Sequence, residues 1–210
     1  MKHPIEELFD DKIIVRKIQT KLPKLFQIAE LESQRAGKTG MEVGSLRERV
    51  LIALFIHKFG EQNVNTEIPI TETETDVILK GYPLSIKTKT GKSFSGIKSI
   101  WTVDHESVLS YIKDYAPKMG IILVQIVWNE EGGIYFFPLE VQQDVFSELG
   151  KNDYFNIPKI GTNPRGVEFS AKAISMMIED KRTRLVKVNW TKTEITYNPF
   201  NRWVELWAQE

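Results

Sequence analysis

Glu48, Asp76 and Lys87 are the residues whose types and order best suit chemistry on a charged substrate. Two carboxylates can hold a hard divalent cation through their oxygens, and a nearby ammonium can steady negative charge as it develops. Hydrolysis of a phosphodiester calls for both. A cation neutralises the phosphate and acidifies a water, while a positioned side chain orients the attacking oxygen.

Asp76 and Lys87 fall in two extended segments, 75–80 and 83–90, joined across Gly81 and Tyr82, a pair suited to a tight hairpin turn. With those two as the loop residues, Lys80 faces Pro83, Ile78 faces Ser85 and Asp76 faces Lys87. Side chains alternate along a strand, so Asp76, Ser85, Lys87 and Lys89 share one face of the ribbon, and Val77, Leu79, Leu84 and Ile86 line the other. Two roles fit the charged pair: a cross-strand ion pair contributing less than ~1 kcal/mol, or half of a reactive site. Glu48 divides the same way. It follows Ser45 by three positions, the spacing of a capping box, yet it also sits beside a glycine-rich stretch from which a carboxylate can reach a neighbouring strand.

The elements that must position these groups alternate between helix and strand. Residues 5–35 have the spacing of two helices broken near Pro23, and residues 37–44 form a glycine-rich loop. A helix over 46–59 ends at Gly60. Strands are expected over 63–70, 75–80 and 83–90. A loop over 91–99 and a helix over 104–115 lead to residues 120–128, whose nearly unbroken apolar run marks a central strand covered on both faces. A strand over 134–138, a helix over 139–149, a long loop over 152–165, a helix over 170–180, a strand over 184–190 and a helix over 201–208 complete a mixed α/β chain. No internal repeat or low-complexity tract interrupts it.

A helix bearing a glutamate, a strand beginning with aspartate and a second strand bearing lysine, in the order Glu48, Asp76, Lys87, resembles the PD-(D/E)XK nuclease superfamily. Thr75 stands where that motif has proline, and Ser85 where it has an acidic residue two before the lysine. The stretch from Gly40 through Thr90, and the overall length, look similar to the ThaI family of type II restriction endonucleases. The resemblance implies a PD-(D/E)XK core, a mixed central sheet flanked by helices, and a homodimer that cuts duplex DNA at the palindrome CGCG to leave blunt ends. It also implies Mg2+ held by Asp76, Glu48 and the main-chain carbonyl of Ile86, with Lys87 orienting water. Acidic-X-lysine matches at Asp10-Asp11-Lys12 and Glu179-Asp180-Lys181 lie on or at the end of helices, with no preceding strand aspartate, and are incidental.

Contacts to DNA are expected from several further residues. Lys38 and Met41 lie in the 37–44 loop, and Met41, an unbranched apolar side chain in a segment otherwise built for exposure, could either dock on the core or wedge between base pairs from the minor groove. Lys89 is expected to meet phosphate. Lys92, Lys98, Arg165, Arg182 and Arg184 are candidates for reading guanine in the major groove or for phosphate contact, and spacing alone does not rank them. A repair or junction-resolving nuclease of the same superfamily, or a non-catalytic DNA-binding module, would use many of the same residues.

Composition sets the outer bounds. A chain of 210 residues with 41% hydrophobic content is expected to form one domain over 1–210, with an N-terminal helical part (1–36), a catalytic core (43–128) and a completing α/β part with DNA-contacting loops (129–210). The absence of cysteine excludes disulfides, thiolate zinc sites and cysteine nucleophiles. The 28 basic and 28 acidic residues cancel, but acid and base segregate locally: residues 61–76 carry no basic residue and residues 87–98 no acidic one. No apolar run approaches the ~18 residues of a membrane span and the first residues are too acidic for a secretory signal, so a cytoplasmic location without membrane partners is expected. Ala36-Gly37-Lys38-Thr39 and Gly91-Lys92-Ser93 lack the earlier glycine of a phosphate-binding loop, and His3, His57 and His105 are too scattered for a zinc cluster.

Overall fold

The structure, a computed structural model, describes residues 3–35, 37–40, 42–69, 71–102, 104–158 and 166–209. Helices α1 (Glu6–Asp10) and α2 (Lys12–Glu32) part at Asp11, whose carboxylate accepts from the Ile13 and Ile14 amides and caps α2. The break expected near Pro23 does not occur. Proline inside a helix costs about 3 kcal/mol, but Ile14, Ile18, Leu22 and Phe26 bury one continuous face of α2 on either side of it, and that burial offsets the lost hydrogen bond.

The first three residues of the glycine-rich loop expected over 37–44 belong to a small hairpin, β1 (Gln34–Arg35) and β2 (Lys38–Thr39), turning at Gly37 with φ +77°, and its last two belong to the following helix. Helix α3 (Val43–Phe59) follows and buries Arg47, Leu51, Phe55 and Phe59, one residue per turn, before stopping at Gly60 with φ +85°. The remaining strands are β3 (Val64–Asn65), β4 (Val77–Leu79), β5 (Tyr82–Thr90), β6 (Lys98–Ile100), β7 (Gly120–Ile126), β8 (Glu131–Phe137), β9 (Phe155–Asn156), β10 (Val167–Phe169) and β11 (Arg184–Asn189). The remaining helices are α4 (His105–Asp114), α5 (Leu139–Tyr154), α6 (Ala171–Glu179) and α7 (Asn201–Trp207). The strand expected over 63–70 is confined to β3, and the loops expected over 91–99 and 152–165 contain the start of β6 and all of β9.

The central sheet has the order β11-β8-β7-β5-β4-β3 and is mixed: β5 and β7 run parallel and every other neighbouring pair antiparallel. Parallel neighbours need a crossover, supplied here by β6 and α4. A second sheet, β6-β10-β9, lies apart from the first. All residues of β7 are buried, as its apolar run requires. One core joins α1, α2 and α3 to the sheet face carrying Val77, Leu84, Ile86, Ile122 and Val124; the other joins α4, α5 and α6 to the face carrying Ile121, Leu123 and Phe137. No helix among the described residues is long and apolar enough to cross a membrane.

Candidate active site

The β4–β5 hairpin turns one residue earlier than its sequence suggests. Lys80 (φ +49°) and Gly81 (φ +84°) are the loop residues, the double positive φ of a type I′ turn, whose twist matches that of the strands. Tyr82 therefore pairs with Leu79 and Pro83 with Ile78. Moving the turn by one residue slides each partner by two, so Asp76 comes level with Ser85 rather than Lys87 while every side chain keeps its face. Lys87 becomes the diagonal neighbour, and its Nζ lies 3.6 Å from Asp76 Oδ2 with both side chains mostly shielded.

That same Oδ2 accepts from Ser85 Oγ at 3.1 Å and from the Ile86 amide at 2.5 Å, which holds the carboxylate in one orientation. The serine thus serves the aspartate as a hydrogen-bond donor. The backbone of β5 carries a further consequence. Leu84 turns its carbonyl to the Asp76 amide and Ile86 its amide to the Asp76 side chain; because the amide and carbonyl of one strand residue point to the same side, the Ile86 carbonyl also faces the β4 side. There β5 outruns β4, which starts only at Val77.

Glu48 enters from α3. The helix begins at Val43 with Glu42 at its cap position and no side-chain capping bond, so Glu48 stands in the second turn, out of reach of the orphan amides, and the capping-box role does not apply. It shares a helix face with Gly44 and Ser45 and lines, with Thr73, Asp76, Ile86, Lys87 and Thr88, a cleft of about 430 Å³. Burial, reinforced by the Asp76 charge and opposed by Lys87 and Arg49, raises the Glu48 carboxyl to about 7. Its neighbour Arg47 anchors this part of α3: the buried guanidinium bonds Glu30 Oε1 at 2.5 Å and Thr90 Oγ1 at 3.1 Å, and Trp128 Nε1 donates to the same Glu30 oxygen at 2.8 Å. Helix α3 is thereby tied to the end of β5.

The far wall of the cleft is Gly96 to Trp101, which includes β6 where the sequence predicts a loop, and it carries Lys98, one of the expected DNA-contacting residues. Lys98 lies over the Trp101 ring at 4.4 Å, and Trp101 is 65% exposed, an aromatic on the rim that no motif announced. Beside it Gly166, at φ +116°, packs so close to the Ile100 carbonyl that any side chain there would collide. Lys89 continues the Lys87 face, and a methyl at Gly96 would meet its Nζ at 3.6 Å. Lys38 is exposed on β2. The other basic candidates are engaged elsewhere: Lys92 pairs with Glu130, Arg182 with Asp180 and Asp144, and Arg184, on the opposite edge strand, with Glu6 and Asp10. Met41 and Arg165 lie outside the described residues.

The donor set suits a hard divalent cation. Two carboxylates that repel each other, one of them pushed toward its protonated form, gain most from a positive charge between them. No cluster of three or more His, Cys, Asp or Glu occurs among the described residues, so the remaining ligands would be the Ile86 carbonyl, water and substrate oxygen.

No curated protein matches the chain. A solved structure described as "Restriction endonuclease in complex with substrate DNA" shares 51% identity with it, covering 98% of this chain and 99% of that one with a TM-score of 0.92. The family described as restriction endonuclease ThaI matches residues 8–209, nearly the whole chain. The chain belongs to the ThaI family of restriction endonucleases.

Proposed function

We propose that this protein hydrolyses phosphodiester bonds of duplex DNA at a short palindrome, CGCG, leaving blunt ends, as a Mg2+-dependent homodimer. The observation that carries the reading is the convergence of Glu48, Asp76 and Lys87 on one cleft, at the place where β5 extends past β4. The CGCG target and the two-chain assembly rest on the likeness to restriction endonucleases.

Asp76, Glu48 and the Ile86 carbonyl would hold the cation. When bound, a divalent cation neutralises charge on the phosphate and acidifies a water. The chain's own residues do the rest. Ser85 and the Ile86 amide fix the Asp76 carboxylate, and Arg47, through Glu30 and Thr90, fixes the helix that delivers Glu48. Lys87 orients the attacking water and stabilises charge gathering on the phosphoryl oxygens. Water forms the new P–O bond, the bond to the 3′-oxygen breaks, and a 5′-phosphate and a 3′-hydroxyl result.

Lys89 and Lys98, which flank the cleft, contact phosphate, as does Lys38. Met41 wedges between base pairs. Arg165 contacts guanine or phosphate, and Lys92, Arg182 and Arg184 serve as contacts only by exchanging their carboxylate partners for DNA. Digestion of a plasmid of known sequence with Mg2+, followed by sequencing of the fragment ends, tests the reading. Discrete fragments ending within CGCG are expected. A smear would point to a repair-type nuclease, and binding without cutting to a non-catalytic module.

A further inference from the structure

Among the described residues, Trp101 is the one large hydrophobic side chain that is both exposed and part of the cleft holding Glu48, Asp76 and Lys87. A single exposed apolar side chain on an open surface is ordinary. This one stands beside the catalytic groups, and the backbone that carries it is pinned from two sides. Ser99 is buried and shares a hydrogen bond of 2.6 Å with Tyr111 Oη of α4. Ile100, the next residue, pairs with Val167 of β10, and Gly166 closes on its carbonyl where no side chain fits. Both anchors fall on the two residues before Trp101, so the point from which the indole projects is set by a helix and by the second sheet.

The ring itself is already used on one face. Lys98 Nζ lies over it, 4.4 Å from its centroid, where the negative face of the ring attracts an ammonium. That leaves the opposite face for an apolar partner. Duplex DNA in the cleft would offer phosphates, deoxyriboses and base edges; a base face is shown only when a base step is prised apart. Phosphates suit the lysines and the cation. Between one phosphate and the next lies a single deoxyribose, whose carbon-bound hydrogens form an apolar surface, and an indole beside a phosphate-binding lysine is placed to meet it.

We propose that Trp101 is a sugar-binding platform: its indole packs on the deoxyribose of a nucleotide flanking the scissile phosphate, while Lys98 contacts the phosphate joined to that sugar. The proposal rests on the reading above that duplex DNA occupies this cleft. Ring and lysine together fix the strand on the far wall, so that the reacting phosphate reaches Asp76 and Lys87 in one register. Sugar and phosphate are the same at every step of the duplex, so the platform supplies affinity and register and leaves the choice of site to other residues.

Gel-shift titration of duplex DNA in Ca2+, beside single-turnover cleavage with Mg2+, tests the platform. Trp101→Ala should weaken binding about five- to tenfold, the low end of aromatic stacking on nucleic acid. Trp101→Phe, which keeps a ring, should lose less than about threefold. At saturating protein the cleavage rate of Trp101→Ala should stay within about threefold of the parent, because the contact is made before and during reaction alike. Salt separates the ring from the lysine: Lys98→Met should flatten the slope of log affinity against log salt by about one, and Trp101→Ala should keep the parental slope. Duplexes altered at each nucleotide beside the cut locate the contact. The Trp101→Ala penalty should persist with an abasic nucleotide, which keeps its sugar, and vanish at one position with a ring-free three-carbon spacer. A thermal melt unchanged from the parent confirms folding, as Trp101 belongs to neither core. Parental affinity in Trp101→Ala overturns the proposal, as does a flattened salt slope in that variant, which would make the ring a mere support for Lys98. So does a penalty that abasic nucleotides abolish, or one that survives the spacer at every position. A parent that neither binds nor cuts duplex DNA defeats the nuclease reading and the platform with it; a parent that cuts while Trp101→Ala binds equally well defeats the platform alone.

Discussion

Glu48→Gln isolates the part of the site that titrates near neutrality. The Glu48 carboxyl is held at about 7 by burial first and by the Asp76 charge second. A metal ligand must be deprotonated, so proton and cation compete for Glu48 across this range. With half-protonation near pH 7, lowering the pH from 8 to 6 should weaken divalent-ion binding about tenfold, and above pH 8 the affinity should level off. Calorimetric titration with Ca2+ at pH 6, 7 and 8 reads this directly. Glu48→Gln, close in shape and without a titrating carboxyl, should bind more weakly at pH 8 and show little of the pH slope. The metal-free protein should show the opposite trend in stability. A carboxyl raised in the folded state binds a proton that the unfolded chain has released, so its contribution is complete below pH 4.5 and is lost as pH rises to about 7. Its size is on the order of 2 kcal/mol after discounting for solvent screening. A slope of the same size in Glu48→Gln would refute the assignment of the titrating ligand.

Lys87→Met should reduce the cleavage rate at least ~100-fold while leaving DNA affinity within a few-fold, since its ammonium acts on charge that develops during reaction; single-turnover cleavage beside a gel-shift titration separates the two. Arg47→Leu should destabilise the fold by about 1–3 kcal/mol, because Glu30 loses its guanidinium and keeps only Trp128 Nε1 and the partly exposed Lys192 ammonium. Denaturant unfolding measures that loss, and Glu30→Met/Arg47→Met should recover much of it, because the pair is then replaced rather than broken.

Much of the site could be read from the chain because parity along a strand survives a small error in the turn. Placing the loop at Gly81-Tyr82 instead of Lys80-Gly81 altered which residue faces Asp76 but left Asp76, Ser85, Lys87 and Lys89 together on one face. The strand β7 was legible because burial on both faces leaves no room for polar alternation. What escaped depends on distant partners. The strand β6 is short, and it exists because β10, far along the chain, pairs with it. Helix α2 continues through Pro23 because tertiary burial outweighs a local penalty. Helix α3 starts before Ser45 without a side-chain cap, so nothing local marked its first turn, and Glu48 was assigned to the wrong position in the helix.

Metal-dependent cleavage of one plasmid by the parent and by Asp76→Ala tests the central claim most directly. The parent with Mg2+ should yield discrete fragments, and Asp76→Ala should bind the same DNA with similar affinity yet cut at least ~1000-fold more slowly, since it loses a cation ligand and the carboxylate beside Lys87. Cleavage by Asp76→Ala at the parental rate would contradict it.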